Sequence, residues 1–280
     1  MTGDPAGPQE ASWVDDFNPR KPNAARIYDY LLGGKDNFAV DREAADQLMR
    51  ALPDAARAAR ANRAFLNAAV RYVAGQGIGQ YVDIGAGLPT SPNVHESARD
   101  AVPGARVIYV DNDPVVVSHA RALLATDDLV TVVSADARKH ESVLSALELG
   151  GKIDLSEPVC VLFVSVLHFL ATSEADALVA AFRERMSPGS YLVLSAGCAD
   201  ESHLPVQEEI QSAYGSGTTL SGRPAAEIAA YFGDFELVPP GLVPVTEWSA
   251  RVPNAPSRPR WEPPAPAKAS MLAGIGRKQR

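Results

Sequence analysis

A chain of 280 residues with 46% hydrophobic content is long enough for one large α/β core with an added lobe, and too apolar for global disorder. Its formal net charge of −8 argues against a sequence-independent grip on phosphate backbones, so no nucleic-acid partner is expected. Cys160 and Cys198 give neither a zinc spacing nor a disulfide scaffold, no metal is expected, and without an apolar leader or a run of about 18 apolar residues the expected setting is cytoplasmic, with no membrane partner.

Residues 1–20 are rich in Pro, Gly, Asp and Gln and read as a loose arm, which Trp13 and Phe17 could tack onto the body. Residues 21–78 read as a helical lobe. Its first helix carries Ile27 and Leu31 at helical spacing and ends at Gly33-Gly34, before the polar turn Lys35-Asp36-Asn37. Helices over about 41–52 and 53–74 follow. The arginines of the latter read as a solvated face, Arg63 being the one that could reach a site. So much helix ahead of the first strand predicts a lid laid over a ligand crevice.

Residues 79–280 alternate strand and helix, which predicts a parallel sheet with helices on both faces. The stretch around which the chain is organised is Tyr81-Val82-Asp83-Ile84-Gly85-Ala86-Gly87, a buried strand running into a glycine turn that a ligand can approach closely. A helix is expected over 91–101. The second strand, 106–111, ends in Asp111, near the spacing of about 20 residues at which an acid meets a ribose. After a helix over 114–124, a third strand over 129–134 leads to Asp136 and Ala137. A helix over 141–149 precedes the apolar strand 159–164, expected at the sheet centre, with Ser165 and His168 at its crevice end. Then come a helix over 173–185, a strand over 191–195, helices over 201–214 and 223–232, and a strand over 235–238. Residues 239–266 read as a proline-broken loop and 269–278 as a closing strand.

Two nucleotide-binding readings compete at this crevice. A nicotinamide dehydrogenase would prefer Gly or Ala where Thr90 stands, and Asp83 lies two residues before Gly85. Acids at three strand ends (Asp83, Asp111 and Asp136) would repel a diphosphate but suit S-adenosylmethionine, which is cationic and carries no phosphate.

With these residues in place the chain resembles the bacterial family of S-adenosylmethionine-dependent methyltransferases of unassigned substrate, which pairs a helical amino-terminal lobe with a Rossmann-like methyltransferase domain. The resemblance rests on Ala25-Arg26-Ile27-Tyr28-Asp29-Tyr30-Leu31-Leu32-Gly33-Gly34-Lys35-Asp36-Asn37-Phe38, on Asp83 to Thr90, on Asn93-Val94-His95-Glu96, on Tyr109 to Pro114 and on Val166-Leu167-His168-Phe169. It implies a seven-stranded sheet with an antiparallel final strand and supplies no substrate; the acceptor is expected to be a small molecule, which no motif identifies.

Under that reading Gly85 and Gly87 let the methionine portion of the cofactor lie on the backbone, and Asp83 anchors its ammonium or the turn itself. Asp111 clamps the ribose, Asn112 meets the adenine edge, Asp136 and Ala137 lie beside the adenine, and Ser165 lies at the cofactor site. Tyr28, Gly34 and Asn37 close over the cofactor or shape the acceptor pocket and Arg26 pairs with the cofactor carboxylate, or else these residues glue the lobe to the core. His168 is either a general base, an acceptor-orienting group or a hydrogen-bonding link to the lobe. The rival function is a catalytically silent, S-adenosylmethionine-binding regulatory protein. The absence of Asn-Pro-Pro-Tyr after the fourth strand disfavours methylation of a nucleobase, although Arg277, Lys278 and Arg280 are basic.

Overall fold

The computed structural model describes residues 18–199, 204–215, 220–251 and 270–279. Most of the arm at 1–20, the start of the helix expected at 201, the segment 216–219, most of the proline-broken stretch and Arg280 therefore lie outside the described residues.

The lobe holds α1 (Ala24–Leu32), α2 (Ala39–Ala51) and α3 (Ala55–Gly75). Then follow β1 (Gln80–Ile84), α4 (Val94–Arg99), β2 (Arg106–Asp111), α5 (Pro114–Leu123), β3 (Val130–Ser134), α6 (His140–Gly150) and β4 (Cys160–Val164). A 3₁₀ turn (Leu167–Phe169), α7 (Thr172–Arg185), β5 (Tyr191–Cys198), α8 (Leu204–Tyr214) and α9 (Ala225–Ala230) come next. The chain continues with β6 (Phe235–Leu237), β7 (Val243–Pro244), α10 (Val245–Arg251) and β8 (Ser270–Lys278).

The strands form one sheet in the order β3-β2-β1-β4-β5-β8-β6, with β7 paired to β8. β1 to β5 run parallel, and β8 runs antiparallel between β5 and β6. The seven expected strands are thus present, the closing strand is antiparallel, and the two-residue β7 is an eighth.

Alternation along the strands decides which helix each face receives. Val82 and Ile84 join Ile108, Val161, Phe163 and Leu194 in a core under α6, α7 and α9. Tyr81, Val107, Leu162 and Val193 point the other way, onto α3, α4, α5 and α10. Burying a side chain the size of Phe65 on this second face contributes about 1.5–3 kcal/mol. The carboxyl half of α3, Phe65 to Ala74, belongs to that layer, whereas Ala59 joins Ile27, Leu31, Leu48 and Ile210 in a third cluster built from α1, α2 and α8. One helix therefore serves both the sheet and the roof above it.

Three local departures from the sequence expectations have physical causes. The helix after the glycine turn starts at Val94, because Asn93 caps it and its own amide donates to the Glu96 carboxylate at 2.5 Å. β5 continues to Cys198, because β8 pairs with it in unbroken register from Tyr191 to Cys198. Within the stretch read as a loop, residues 243–251 form β7 and α10. Trp248 fixes them by packing edge-on against Phe65 at 5.2 Å and donating from Nε1 to the Gly241 carbonyl at 3.2 Å.

Candidate functional site

A cavity of about 800 Å³ opens above the carboxyl ends of β1, β2 and β4, roofed by α1, α2, α3 and α8. The expected residues Tyr28, Asp83, Gly85, Gly87, Asp111, Asn112, Asp136, Ala137, Ser165 and His168 all line it.

The glycine turn forms because Gly85 and Gly87 both take left-handed backbone angles, φ +71° and +66°. The amides of Gly85 and Ala86 both donate to the Val110 carbonyl, at 2.8 and 3.1 Å, which locks the turn to the end of β2. A Cβ on Gly85 would collide with Val166, 2.8 Å from that residue's own Cβ, while the space beside Gly87 is open for 4 Å. The turn is thus closed on one side by protein and open on the other to a ligand.

Asp111 ends β2 with its carboxylate fixed by two amides, Gly87 N–H at 3.0 Å and Asp113 N–H at 2.9 Å. Burial holds its carboxyl above the usual carboxylate range, against the opposing pull of these hydrogen bonds. Asp83 lies deeper. Burial pushes it up to about 7, opposed by the Arg63 charge and helped by Asp111. Two buried acids therefore face one cavity. Asp136 differs: partial burial raises it, but hydrogen bonds and charge from Arg138 outweigh that and hold it below the usual range.

Arg63 reaches the cavity from α3, donating to the carbonyls of Thr90 and Pro92. Its buried Nε has no hydrogen-bond partner among the described residues. Burial pushes its guanidinium down, and Asp83 is the strongest charge opposing that. Arg26, expected to meet the cofactor carboxylate, does not line the cavity. It is 3% exposed and its Nε pairs with Asp41 at 2.7 Å. A buried pair of this kind would leave an uncompensated charge if either partner turned away.

Gly34 and Asn37 also stand outside the cavity lining. They close the turn after α1 on the Asp29 carboxylate, which accepts from the Asp36 amide at 2.9 Å and from Asn37 Nδ2 at 2.8 Å. A Cβ on Gly34 would overlap that carboxylate, coming within 2.6 Å of Asp29 Oδ2. The double glycine thus serves the closure of this turn.

A buried chain of hydrogen bonds ties roof to sheet. The Ser165 amide donates to Ser195 Oγ at 3.0 Å, Ser195 Oγ to Asn62 Oδ1 at 2.6 Å, Asn62 Nδ2 to the Tyr28 hydroxyl at 2.9 Å, and that hydroxyl to the Ala59 carbonyl at 3.0 Å. Ser165 meets this chain in a left-handed conformation, φ +61°, unique among the described residues other than glycine. Asn23 adds a second tie by donating to Asp113 at 2.5 Å, just beyond Asp111.

His168 sits in the 3₁₀ turn after β4, 8% exposed. Its Nδ1 accepts from the Gly197 amide at 3.4 Å, so the neutral ring carries its proton on Nε2. Burial, with a lesser push from the Arg223 charge, lowers its pKa to about 4. Arg223, which nothing in the sequence singled out, holds the turn by donating to the carbonyls of Leu167 at 2.8 Å and Leu170 at 3.0 Å. Among the described residues no helix is long and apolar enough to cross a membrane, and no group of three or more His, Cys, Asp or Glu is placed to hold a metal ion.

Over residues 10–279 the sequence matches a family model described as S-adenosyl methyltransferase. A candidate methyltransferase of known structure from Thermobifida fusca is 40% identical over 95% of this chain and 97% of that one, with a TM-score of 0.83. A DUF574 family protein from Streptomyces avermitilis is 34% identical over 92% of this chain and 98% of that one, with a TM-score of 0.78. No curated protein matches the sequence.

Proposed function

Because the chain belongs to the S-adenosyl methyltransferase family, with the Rossmann-like class I sheet and S-adenosylmethionine as cofactor, we propose that it methylates a small-molecule acceptor held in this cavity. The observation that carries the reading is the pair of buried carboxylates, Asp83 and Asp111, beside a glycine cradle open at Gly87. This donor set fits a cationic nucleoside and opposes a diphosphate.

In this proposal Asp111 accepts the ribose hydroxyls, Gly85 and Gly87 leave room for the methionine portion, and Asn112, Asp136 and Ala137 border the adenine. Asp83 takes the ammonium group. Arg63 takes over the carboxylate contact that the sequence pattern assigned to Arg26, because it reaches the cavity and retains an unpartnered N–H. Bound S-adenosylmethionine supplies an electrophilic methyl group on a positively charged sulfur. The chain's own residues contribute by binding, by aligning the acceptor and by keeping water out beneath α1, α2 and α8, which we assign as the lid.

A pH dependence follows from Asp83. Its carboxyl titrates near 7 in the folded protein and near 4 when unfolded, so the native state holds the extra proton between those values. Ionising it therefore removes stability as pH rises from about 4 to about 7, with the full loss present above that window. Binding an ammonium group favours the ionised form. Calorimetric affinity for S-adenosylhomocysteine is expected to climb from about pH 5.5 and level off above about pH 7.5, with proton release on binding. The Asp83→Asn variant should lose this slope; an unchanged slope would remove Asp83 from the ammonium site.

A neutral His168 with its proton on Nε2 is suited to holding an acceptor atom by hydrogen bond and is a weak base. His168→Ala is expected to lower kcat about tenfold, the scale of one lost hydrogen bond, and the parent pH–rate profile should show no histidine inflection between about pH 6 and 8. A falling acid limb near pH 6.5 that vanishes in the variant would instead make it the general base. Release of S-adenosylhomocysteine in a metabolite extract tests the whole reading. None above the background of an Asp111→Ala control would leave only a binding protein.

A further inference from the structure

We propose that the acceptor is an uncharged, largely apolar aromatic molecule that reaches the site through an apolar arm of the cavity, carrying one hydroxyl or nitrogen at its tip. The inference rests on the methyltransferase reading and adds the substrate class.

The cavity has two chemically distinct ends. Toward the strand tips it is lined by acids and glycine backbone, the part assigned to the cofactor. Away from them it runs between α1, α2, α3 and α8, where Leu31, Leu48, Leu52, Ala55, Ala59 and Ile210 form the walls. These six side chains carry no hydrogen-bonding group, although Gln207 and Tyr214 of α8 also line the cavity, so an occupant lying against them gains by removing apolar surface from water, about 25 cal/mol for each Å² buried.

The charged residues lining the cavity are engaged elsewhere or belong to the cofactor end. Asp29 is taken up by the turn after α1, Asp136 by Arg138 and Asp113 by Asn23 and the cap of α5, while Arg63 belongs with Asp83 and Asp111 to the cofactor end. An ionic acceptor would therefore give up its hydration without gaining a counter-charge from the described residues, a penalty of several kcal/mol.

Rings mark the seam between the two ends. His168 and Phe169 lie 4.4 Å apart between centroids, and Phe169 meets Tyr214 edge-on at 5.4 Å, all three lining the cavity. Offset and edge-on surfaces of this kind receive another ring. Tyr28 and Asn62 are already satisfied by each other, by Ser195 and by the Ala59 carbonyl. The His168 Nε2–H and the Tyr214 hydroxyl are thus the donors at the seam, and we assign the His168 N–H to the single oxygen or nitrogen of the acceptor. Because that imidazole is weakly basic, the acceptor atom must be one that loses its proton readily or carries none, such as a phenol-type hydroxyl or a ring nitrogen.

A matched pair of fluorescent probes tests this on the full chain. N-phenyl-1-naphthylamine is neutral, and 8-anilino-1-naphthalenesulfonate has the same rings plus a sulfonate. The neutral probe is expected to bind with a blue-shifted rise in fluorescence, about tenfold or more tighter than the anion, with saturating S-adenosylhomocysteine present. Leu52→Trp, which fills the arm, and Val206→Arg, which places a cation at it, should each weaken the neutral probe about tenfold or more. Both should keep calorimetric S-adenosylhomocysteine affinity within about twofold. Equal or tighter binding of the anion, or full neutral-probe affinity in both variants, overturns the proposal. The parent probe ratio decides even where a variant fails to fold. Absence of S-adenosylhomocysteine binding in the parent would instead sink the cofactor reading, a result the probe ratio cannot mimic.

Discussion

Replacing Asp111 by alanine is expected to cost about a hundredfold or more in affinity for S-adenosylhomocysteine, measured by calorimetry. The side chain ends β2 inside the cavity, and each of its oxygens already accepts one backbone amide, from Gly87 and from Asp113. Those amides fix its orientation, so the remaining lone pairs are aimed without further loss of side-chain freedom. Hydrogen bonds to a charged acceptor contribute about 1.5–3 kcal/mol each, and two of them to a ribose diol total about 3 kcal/mol at the low end, which is the hundredfold. Asp111→Asn keeps one oxygen acceptor but presents an N–H where a hydroxyl or an amide must donate, so it should recover little. An Asp111→Ala protein that folds, by circular dichroism, and binds within about threefold of the parent would remove the ribose clamp.

Gly85→Ala is expected to destabilise the fold by about 2–5 kcal/mol in urea unfolding and to distort the turn that receives the cofactor. Two separate causes add. A non-glycine residue at φ +71° costs about 1–2 kcal/mol, and a methyl group driven against Val166 adds about 1–3 kcal/mol, as in other overpacked cores. A double-mutant cycle separates them. Val166→Gly beside Gly85→Ala should restore the collision part and leave the backbone part, whereas Val166→Ala would keep the Cβ that the new methyl meets at 2.8 Å. If the cycle shows no favourable coupling between the two substitutions, the contact with Val166 is not what excludes a side chain there.

The central strands were legible because burial on both faces writes itself as apolar runs such as Cys160-Val161-Leu162-Phe163-Val164, closed off by polar or glycine positions. The acids at the strand tips could be read for the same reason, since a charge at the end of such a run has only the crevice to face. The sequence left a cofactor contact and a structural tie of the lobe both open for Arg26. Its partner Asp41 sits on the next helix, and no local spacing distinguishes an arginine that turns inward to a neighbour from one that turns toward a ligand. Arg63 was visible as an option, but its place in the cavity lining depends on how α3 is turned between sheet and roof. The helix Val245–Arg251 was hidden by its surroundings, prolines on both sides masking a short segment that Trp248 pins from within. Asn93 carried an overlooked signal, an Asn followed three residues later by Glu96, which sets the helix start at Val94.

The place of β8 has a consequence for assembly. Residues 270–278 slot between two strands that precede them, and β5 has no partner on that side until they arrive. A nascent chain can lay down β1 to β5 early, yet it carries an unpaired apolar border, a surface prone to sticking to other chains. Met271, contributed by β8, also lines the cavity, so the binding chamber acquires part of its floor only with this late insertion. Completing the cavity wall therefore requires a pairing between segments far apart in sequence, a contact that costs more loop entropy than local ones.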